Sequence, residues 1–184
     1  MDKIDLRFDT LTMSHQADAS RLIAALRGED DIGAVIRCHF EVERAAEHAL
    51  DVITVGRFKV ARADYLYDKL NVLEMLGAPK AYLEPARLMN KHRNALAHKG
   101  IEQITSQQEA EYTAAVREVF PQYTEDFRLQ ATKGTEWSFD KLYKDSSTRE
   151  RYVWSTSLVI PMLSELPQFM AKYFALATAR SASS

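Results

Sequence analysis

The longest regular pattern in the chain runs from about residue 30 to residue 54, and it constrains the fold more than any other feature. Apolar residues recur there at three- and four-residue spacing, namely Val35, Ile36, Phe40, Ala46, Ala49, Leu50 and Ile53. This spacing predicts an amphipathic helix with an apolar stripe. Asp30 or Asp31 can cap its start, and Gly56 can end it.

Similar patterns predict helices along most of the chain. We expect them over residues 14–27, 62–76, from Pro85 to Gly100, from Ser106 to Pro121 and over 147–179. In the predicted helix over residues 62–76, Tyr65, Leu66, Leu70, Leu73 and Leu76 should face inward, with Gly77 just past its end. Pro85 fits the first turn of the helix that follows. Ser106–Glu109 and Ser147–Glu150 match the capping-box pattern.

The chain has only six Gly and five Pro, which argues against a turn-dense all-β protein. The predicted fold class is all-α, an antiparallel helical bundle. Residues 121–146 do not fit a helix and form either a short hairpin or an irregular insertion. We expect one domain over residues 1–184, with a bundle at about 30–120 and a C-terminal helical extension at about 147–179, in which Pro161 and Pro167 kink or break the helix.

Composition excludes several classes of protein. Cys38 is the single cysteine, so one chain cannot form a disulfide framework or a cysteine-based zinc cage. We find neither an N-terminal leader pattern nor an apolar run long enough to span a membrane. We therefore expect a soluble cytoplasmic protein that does not associate with membranes.

The net charge of −2 does not indicate a nucleic-acid-binding protein. However, residues 80–100 carry five basic residues against one acid, and residues 102–126 carry six acids against one base. This asymmetry marks either a basic cleft beside an acidic wall or two solvated helix faces.

The segment NKHRNALAHKG, residues 90–100, concentrates the polar residues that could carry chemistry. A bare Arg-x4-His spacing is weak evidence, because Arg87 and His92 also match it. The compound pattern of Arg93, Asn94 and His98 is more specific, because the chain contains only three Asn. On a continuous helix Asn94 and His98 share a face, whereas Arg93 and His98 lie about 140° apart. A second copy across a two-fold axis would bring both residue types to one phosphate.

These three residue types suit RNA cleavage without a metal. Imidazole titrates near neutral pH, so His98 could take the 2′-OH proton or protonate the leaving 5′-oxygen. The guanidinium of Arg93 could hold the phosphate as the transition state gains negative charge. Asn94 could orient either group. The product would be a 2′,3′-cyclic phosphate, and we expect neither a metal nor another cofactor.

The segment MNKHRNALAHKG, preceded by HFEVERAAEHALD and YDKLNVLEMLGAP, resembles the HEPN superfamily (higher eukaryotes and prokaryotes nucleotide-binding). The signature of that family is an Arg, a polar residue and then three to five positions before a His, within an all-α bundle. Arg93, Asn94 and His98 match this signature, and the resemblance covers roughly residues 30–120. The segment is also similar to a group that includes mannitol operon repressor proteins.

The resemblance implies dimerisation through the motif-bearing helices and, in many members, endoribonuclease activity in toxin–antitoxin or antiviral systems. The implied partners are RNA, a second copy of the chain and a protein such as an antitoxin. Other members lack activity and serve as regulatory or interaction modules that bind a nucleotide or a protein. Many small toxin members place a Tyr two residues after the His, where this chain has Gly100.

Further polar residues could support the site. Glu43 or Glu47 could hold an imidazole in one tautomer, and His92 could be a third catalytic imidazole. His92 is about 200° from Asn94 around a helix, which favours the opposite face. His39, Glu43 and Glu47 could instead form a metal-binding stripe, but no second Glu-x-x-His motif accompanies them, so a solvated face with ion pairs is favoured.

Three hypotheses remain at the level of sequence. The first is a metal-independent endoribonuclease with Arg93, Asn94 and His98 as catalytic residues. The second is a catalytically silent regulatory or interaction module, which the near-neutral charge favours. In the third, the motif is purely structural, with Arg93 paired to a carboxylate such as Glu84 or Glu102.

Overall fold

The computed structural model describes residues 18–98, 102–133 and 137–181, without the side chains of residues 60, 61, 98, 133 and 176–181. The described chain is an all-α bundle with one β-hairpin, so the predicted fold class is confirmed. The elements are α1 (Ala19–Arg27), α2 (Asp31–Thr54), α3 (Leu66–Met75), α4 (Lys80–His98), α5 (Ser106–Val119), β1 (Arg128–Lys133), β2 (Trp137–Leu142), α6 (Thr148–Ser164) and α7 (Leu166–Ser181).

Helix α2 lies at the centre of the bundle and packs against α1, α3, α4 and α6. Asp30 caps it, because its carboxylate accepts hydrogen bonds from two backbone N–H groups, those of Ile32 and Gly33. The buried face of α2 is rich in small residues, namely Ala34, Cys38, Ala45, Ala46 and Ala49. Small side chains allow the neighbouring helices to approach closely. One contiguous core therefore contains buried residues from all seven described helices.

Two residues of the predicted apolar stripe on α2 lie outside this core. Ile36 is 55% exposed and Phe40 is 46% exposed. The alanine-rich face of α2 points inward, and these two larger side chains lie on its outer face. The guanidinium of Arg21 lies 4.3 Å from the centroid of the Phe40 ring and partly covers it. The spacing predicted the helix correctly but not the orientation of these two residues.

Helix α3 is shorter than predicted. A 3₁₀ turn over Arg57–Ala61 precedes it, and the helix begins at Leu66. Tyr65 is 74% exposed, and Leu76 lies at the edge of the helix with 36% exposure, so the expectation that they face inward was wrong. Leu66, Leu70 and Leu73 are buried as predicted. Gly77 follows the helix with φ +97°, the left-handed conformation expected past a helix end.

Helix α4, which carries the motif, begins at Lys80 and includes Pro85 in its interior. The sequence placed Pro85 in the first turn, but the helix starts five residues earlier. The cap of α5 is also shifted by one residue, because Thr105 and Gln108 form the capping box instead of Ser106 and Glu109. Ser147 and Glu150 form the predicted capping box of α6.

The structure differs from the sequence-based expectations at the start of α1 and near the two prolines of the C-terminal helices. Asp18 caps α1, and Ser14, the expected cap, lies outside the described residues. Pro161 remains within α6, which ends at Ser164, and α7 begins at Leu166 just before Pro167. No helix in the described part of the chain is long and apolar enough to cross a membrane.

The hairpin resolves the choice that the sequence left open for residues 121–146. Strands β1 and β2 pair antiparallel, with Ala131 opposite Phe139. Phe139 is buried, and its ring centroid lies 5.5 Å from that of Trp154 on α6. Tyr143, directly after β2, donates a 2.6 Å hydrogen bond to the buried Glu109 of α5. These contacts attach the hairpin to α5 and α6, so its aromatic residues serve packing.

Candidate functional site

Arg93 and Asn94 lie together on the exposed surface of α4. The guanidinium Nη1 of Arg93 donates a 3.0 Å hydrogen bond to Oδ1 of Asn94. Among the described residues no carboxylate forms an ion pair with Arg93, and Glu84 in particular is exposed on the same helix without contacting it. The guanidinium therefore keeps donors available for an anion from solution.

The structure places only part of the predicted motif. His98 is the last residue of α4, but its side chain lies outside the described residues, as does Gly100. The backbone puts His98 four residues after Asn94 on one continuous helix, as predicted. The helix thus presents Asn90, Asn94 and His98 at successive four-residue steps.

His92 is part of the core. Its side chain is 2% exposed, and Nδ1 lies 3.1 Å from the hydroxyl of Tyr152. The same hydroxyl lies 3.4 Å from the sulfur of Met89. Nε2 of His92 is buried and has no hydrogen-bond partner among the described residues.

An imidazolium at His92 would therefore carry an Nε2 proton that is buried without an acceptor among the described residues. Consistent with this geometry, burial lowers the pKa of His92 to about 4. The suggestion of a catalytic His92 does not fit this position, because the ring points away from Arg93 and into the bundle. The helical angle between His92 and Asn94 already favoured this arrangement.

Glu43 and Glu47 face α3. The ammonium of Lys69 lies 2.8 Å from Glu43 Oε1 and 3.6 Å from Glu47 Oε2, and the Lys69 side chain is only 7% exposed. Lys69 also donates to the backbone oxygen of Asp64 at 3.3 Å. The two carboxylates are thus ion-paired, but their partner is a nearly buried lysine of α3 and not a residue of their own helix on a solvated face. No group of three or more His, Cys, Asp or Glu suited to a metal occurs among the described residues.

His39 is the imidazole that the structure brings to the motif. Its Nε2 lies 3.2 Å from Oδ1 of Asn90, which is four residues before Asn94 on α4. Its Nδ1 lies 3.9 Å from Oε2 of Glu43. The predicted role of Glu43 as a support for an imidazole therefore has a geometric counterpart, but the imidazole it approaches is that of His39.

The surroundings of His39 favour its neutral form in the free protein. Burial is the largest cause that lowers the pKa of His39, and the charges of Arg93 and Lys69 lower it further. The Asn90 hydrogen bond and the Glu43 carboxylate act in the opposite direction. Asn90, which contacts His39, lies three residues before Arg93 on α4, so Arg93 and the His39 ring are neighbours. We name His39, Asn90, Arg93 and Asn94 the Arg93 site.

The sequence alone provided only part of the information needed to identify His39 as a residue of the site. Its spacing from Glu43 was visible, but the contact with Asn90 depends on how α2 and α4 are aligned. That alignment is set by tertiary packing. Without it, the sequence could not show that His39 faces α4 and that Glu43 and Glu47 face Lys69.

A surface pocket of about 380 Å³ lies at the start of α2 and is separate from the Arg93 site. Its lining includes four carboxylates, those of Glu29, Asp30, Asp31 and Glu102, with Arg149 as the one basic residue. Asp31 accepts a 3.3 Å hydrogen bond from Arg149 and a 2.9 Å bond from the backbone N–H of Ile104. The excess of acids makes this pocket unsuited to a phosphate.

Comparison of the chain with protein-family models, with curated proteins and with solved structures found no match.

Proposed function

We propose that the protein is an endoribonuclease of the HEPN type, which cleaves RNA without a metal and leaves a 2′,3′-cyclic phosphate. The observation that carries this proposal is the exposed, hydrogen-bonded pair of Arg93 and Asn94 on α4, with His98 at the end of the same helix. The absence of a carboxylate partner for Arg93 among the described residues argues against the purely structural reading.

Each residue has a role that its chemistry supports. Arg93 holds the scissile phosphate and stabilises the charge that develops on its oxygens. His98 transfers the proton that leaves the 2′-OH or the proton that the 5′-oxygen gains. Asn94, bonded to Arg93, fixes the guanidinium in the plane that meets the phosphate.

A homodimer is part of the proposal. Arg93 and His98 lie about 140° apart around α4, so one copy does not direct both side chains to the same point without a bend. Two copies facing each other would supply both groups to each phosphate. The exposed Ile36 and Phe40 lie on the outer face of α2 beside His39 and provide apolar surface for such a contact.

The resemblance to the HEPN superfamily extends the proposal to its setting. A toxin or antiviral ribonuclease acts in the cytoplasm and is held inactive by a protein such as an antitoxin. The ordinary net charge of −2 is compatible with a protein that contacts RNA at one local site.

The decisive experiment incubates purified protein with total RNA and with tRNA in the presence of EDTA. The matched control is the Arg93→Ala/His98→Ala double variant. We expect cleavage by the wild type, with 2′,3′-cyclic ends, and none by the variant at an unchanged melting temperature. Equal cleavage by both proteins would indicate a contaminating nuclease and contradict the assigned site.

A catalytically silent regulatory or interaction module is the second candidate. The observation that favours it is the pairing of Glu43 and Glu47 with Lys69, in which two negative charges face one positive charge near the Arg93 site. RNA that remains intact with the wild type, together with binding of a nucleotide or a protein that Arg93→Ala abolishes, would support this candidate over the enzyme.

A further inference from the structure

Each ring nitrogen of His39 faces an oxygen atom that accepts hydrogen bonds. Nε2 faces Oδ1 of Asn90 at 3.2 Å, and Nδ1 faces the carboxylate of Glu43 at 3.9 Å. A neutral imidazole can donate from only one nitrogen, so the lone pair of its unprotonated nitrogen points toward an acceptor. An imidazolium would donate to Asn90 and would lie within ion-pair distance of Glu43. The geometry around the ring is therefore better suited to the charged form.

Positive charge and burial oppose that charged form in the free protein. The His39 side chain is 13% exposed, and the cations near it are Lys69 on α3 and Arg93 on α4. Lys69 is already paired with Glu43 and Glu47, whereas Arg93 has no carboxylate partner among the described residues. An anion that binds to Arg93 would therefore change the protonation of His39.

We propose that His39 takes up a proton when a phosphate group of RNA binds at Arg93, and that the resulting imidazolium, held between Glu43 and Asn90, adds a second positive charge to the phosphate site. This inference rests on the proposed function. It assigns His39 as a positioning residue, which acts on the phosphate through its charge and through the amide of Asn90. With Oδ1 of Asn90 bound to His39, the amide NH2 of Asn90 is directed elsewhere and can donate to the substrate.

The direction of the coupling follows from the charges. The positive charge of Arg93 lowers the pKa of His39, so a bound anion that neutralises Arg93 must raise it. By linkage, the anion must bind more tightly when His39 is protonated. Binding should therefore strengthen as the pH falls through the pKa of His39 in the complex, and level off below its pKa in the free protein.

The test uses a short 2′-O-methyl RNA, which cannot be cleaved because it lacks the 2′-OH and whose phosphodiesters do not titrate near neutral pH. NMR spectra of histidine-labelled protein, with the His39 signals assigned from His39→Gln, give the ring titration with and without this RNA. We expect the midpoint to rise by about one pH unit on binding, as is typical of a charge change at close range. RNA binding should then strengthen by up to about tenfold from the alkaline to the acidic limit.

Three variants sharpen the test. His39→Gln keeps an amide donor for Asn90 but cannot be charged, so RNA binding should lose this pH dependence while the melting temperature stays close to that of the wild type. Arg93→Ala should raise the midpoint of His39 in the free protein and remove the effect of RNA on it. Lys91→Ala removes another positively charged residue of α4, which lies 4.0 Å from Glu111, and it should leave the response of His39 to RNA unchanged.

The outcomes separate this inference from the proposed function. Saturable RNA binding with an unmoved His39 midpoint, or no RNA binding at all, overturns the inference even if the wild type cleaves total RNA. A raised midpoint in a protein that leaves total RNA intact supports the proton-linked phosphate site and refutes the ribonuclease. A raised midpoint together with cleavage that Arg93→Ala abolishes supports both.

Discussion

Replacement of Lys69 by Met tests the charge balance beneath the Arg93 site. Lys69 is 7% exposed and lies 2.8 Å from Glu43, which is 25% exposed, so the substitution leaves a partly buried carboxylate without its cation. Breaking a fully buried pair costs about 3–5 kcal/mol, and the remaining exposure of Glu43 reduces the expected loss to about 2 kcal/mol. Met retains most of the buried aliphatic volume, so little of this loss should come from packing.

The assay for Lys69→Met is urea unfolding, supported by a melting temperature that should fall by about 6 °C in a domain of this size. A Glu43→Gln/Lys69→Met double variant should recover at least half of the loss, because the unpaired charge is then gone. A loss that Glu43→Gln does not relieve would refute the reasoning, since the destabilisation would then come from packing and not from an unpaired carboxylate.

The pH dependence of this loss has a definite sign. The pKa of His39 is lowered in the folded wild type, so acid favours the unfolded chain, which binds the proton more readily. Lys69 is one of the causes of that lowering, and its removal raises the pKa of folded His39. The stability difference between wild type and Lys69→Met should therefore shrink as the pH falls from neutral to about 5. A difference that grows in acid would contradict the placement of Lys69 beside His39.

Three further substitutions test the packing that supports the site. The pKa of His92 is about 4 in the folded protein, so the free energy of unfolding of the wild type should fall by up to about 3 kcal/mol between pH 6.5 and 4. His92→Phe should remove this contribution to acid unfolding. An unchanged dependence of stability on pH in that variant would contradict the burial of His92. Tyr143→Phe should cost about 2 kcal/mol in urea unfolding, because the buried Glu109 loses a 2.6 Å hydrogen bond, and a neutral effect would place the hairpin contact in doubt. Ser147→Ala should cost about 1 kcal/mol by loss of the cap of α6, with Ser147→Thr as the control that retains it.

The parts of the fold that the sequence predicted correctly depend on local interactions. Asp30 and Ser147 cap their helices through side chains that bond backbone groups two or three residues away, so the pattern of the chain contains the interaction. The same is true of Gly77, which ends α3 in a left-handed conformation. The orientations of Ile36 and Tyr65 were not predictable in this way, because hydrophobic spacing does not indicate which side of a helix meets its neighbours.

The candidate functional residues also include some that a local sequence pattern identifies and others that only tertiary packing brings together. Arg93, Asn94 and His98 lie within six positions of one helix, so a motif can find them. His39 belongs to the site only because Asn90 of α4 meets α2 at that residue, and the distance in sequence between the two is 51 residues. Lys69 of α3 forms ion pairs with Glu43 and Glu47, and Glu43 also lies 3.9 Å from His39. The consequence is that the two kinds of residue test different claims: substitutions in the motif test whether RNA is cleaved, whereas substitutions at His39 and Lys69 test whether the packing of α2, α3 and α4 controls the charge that a phosphate meets.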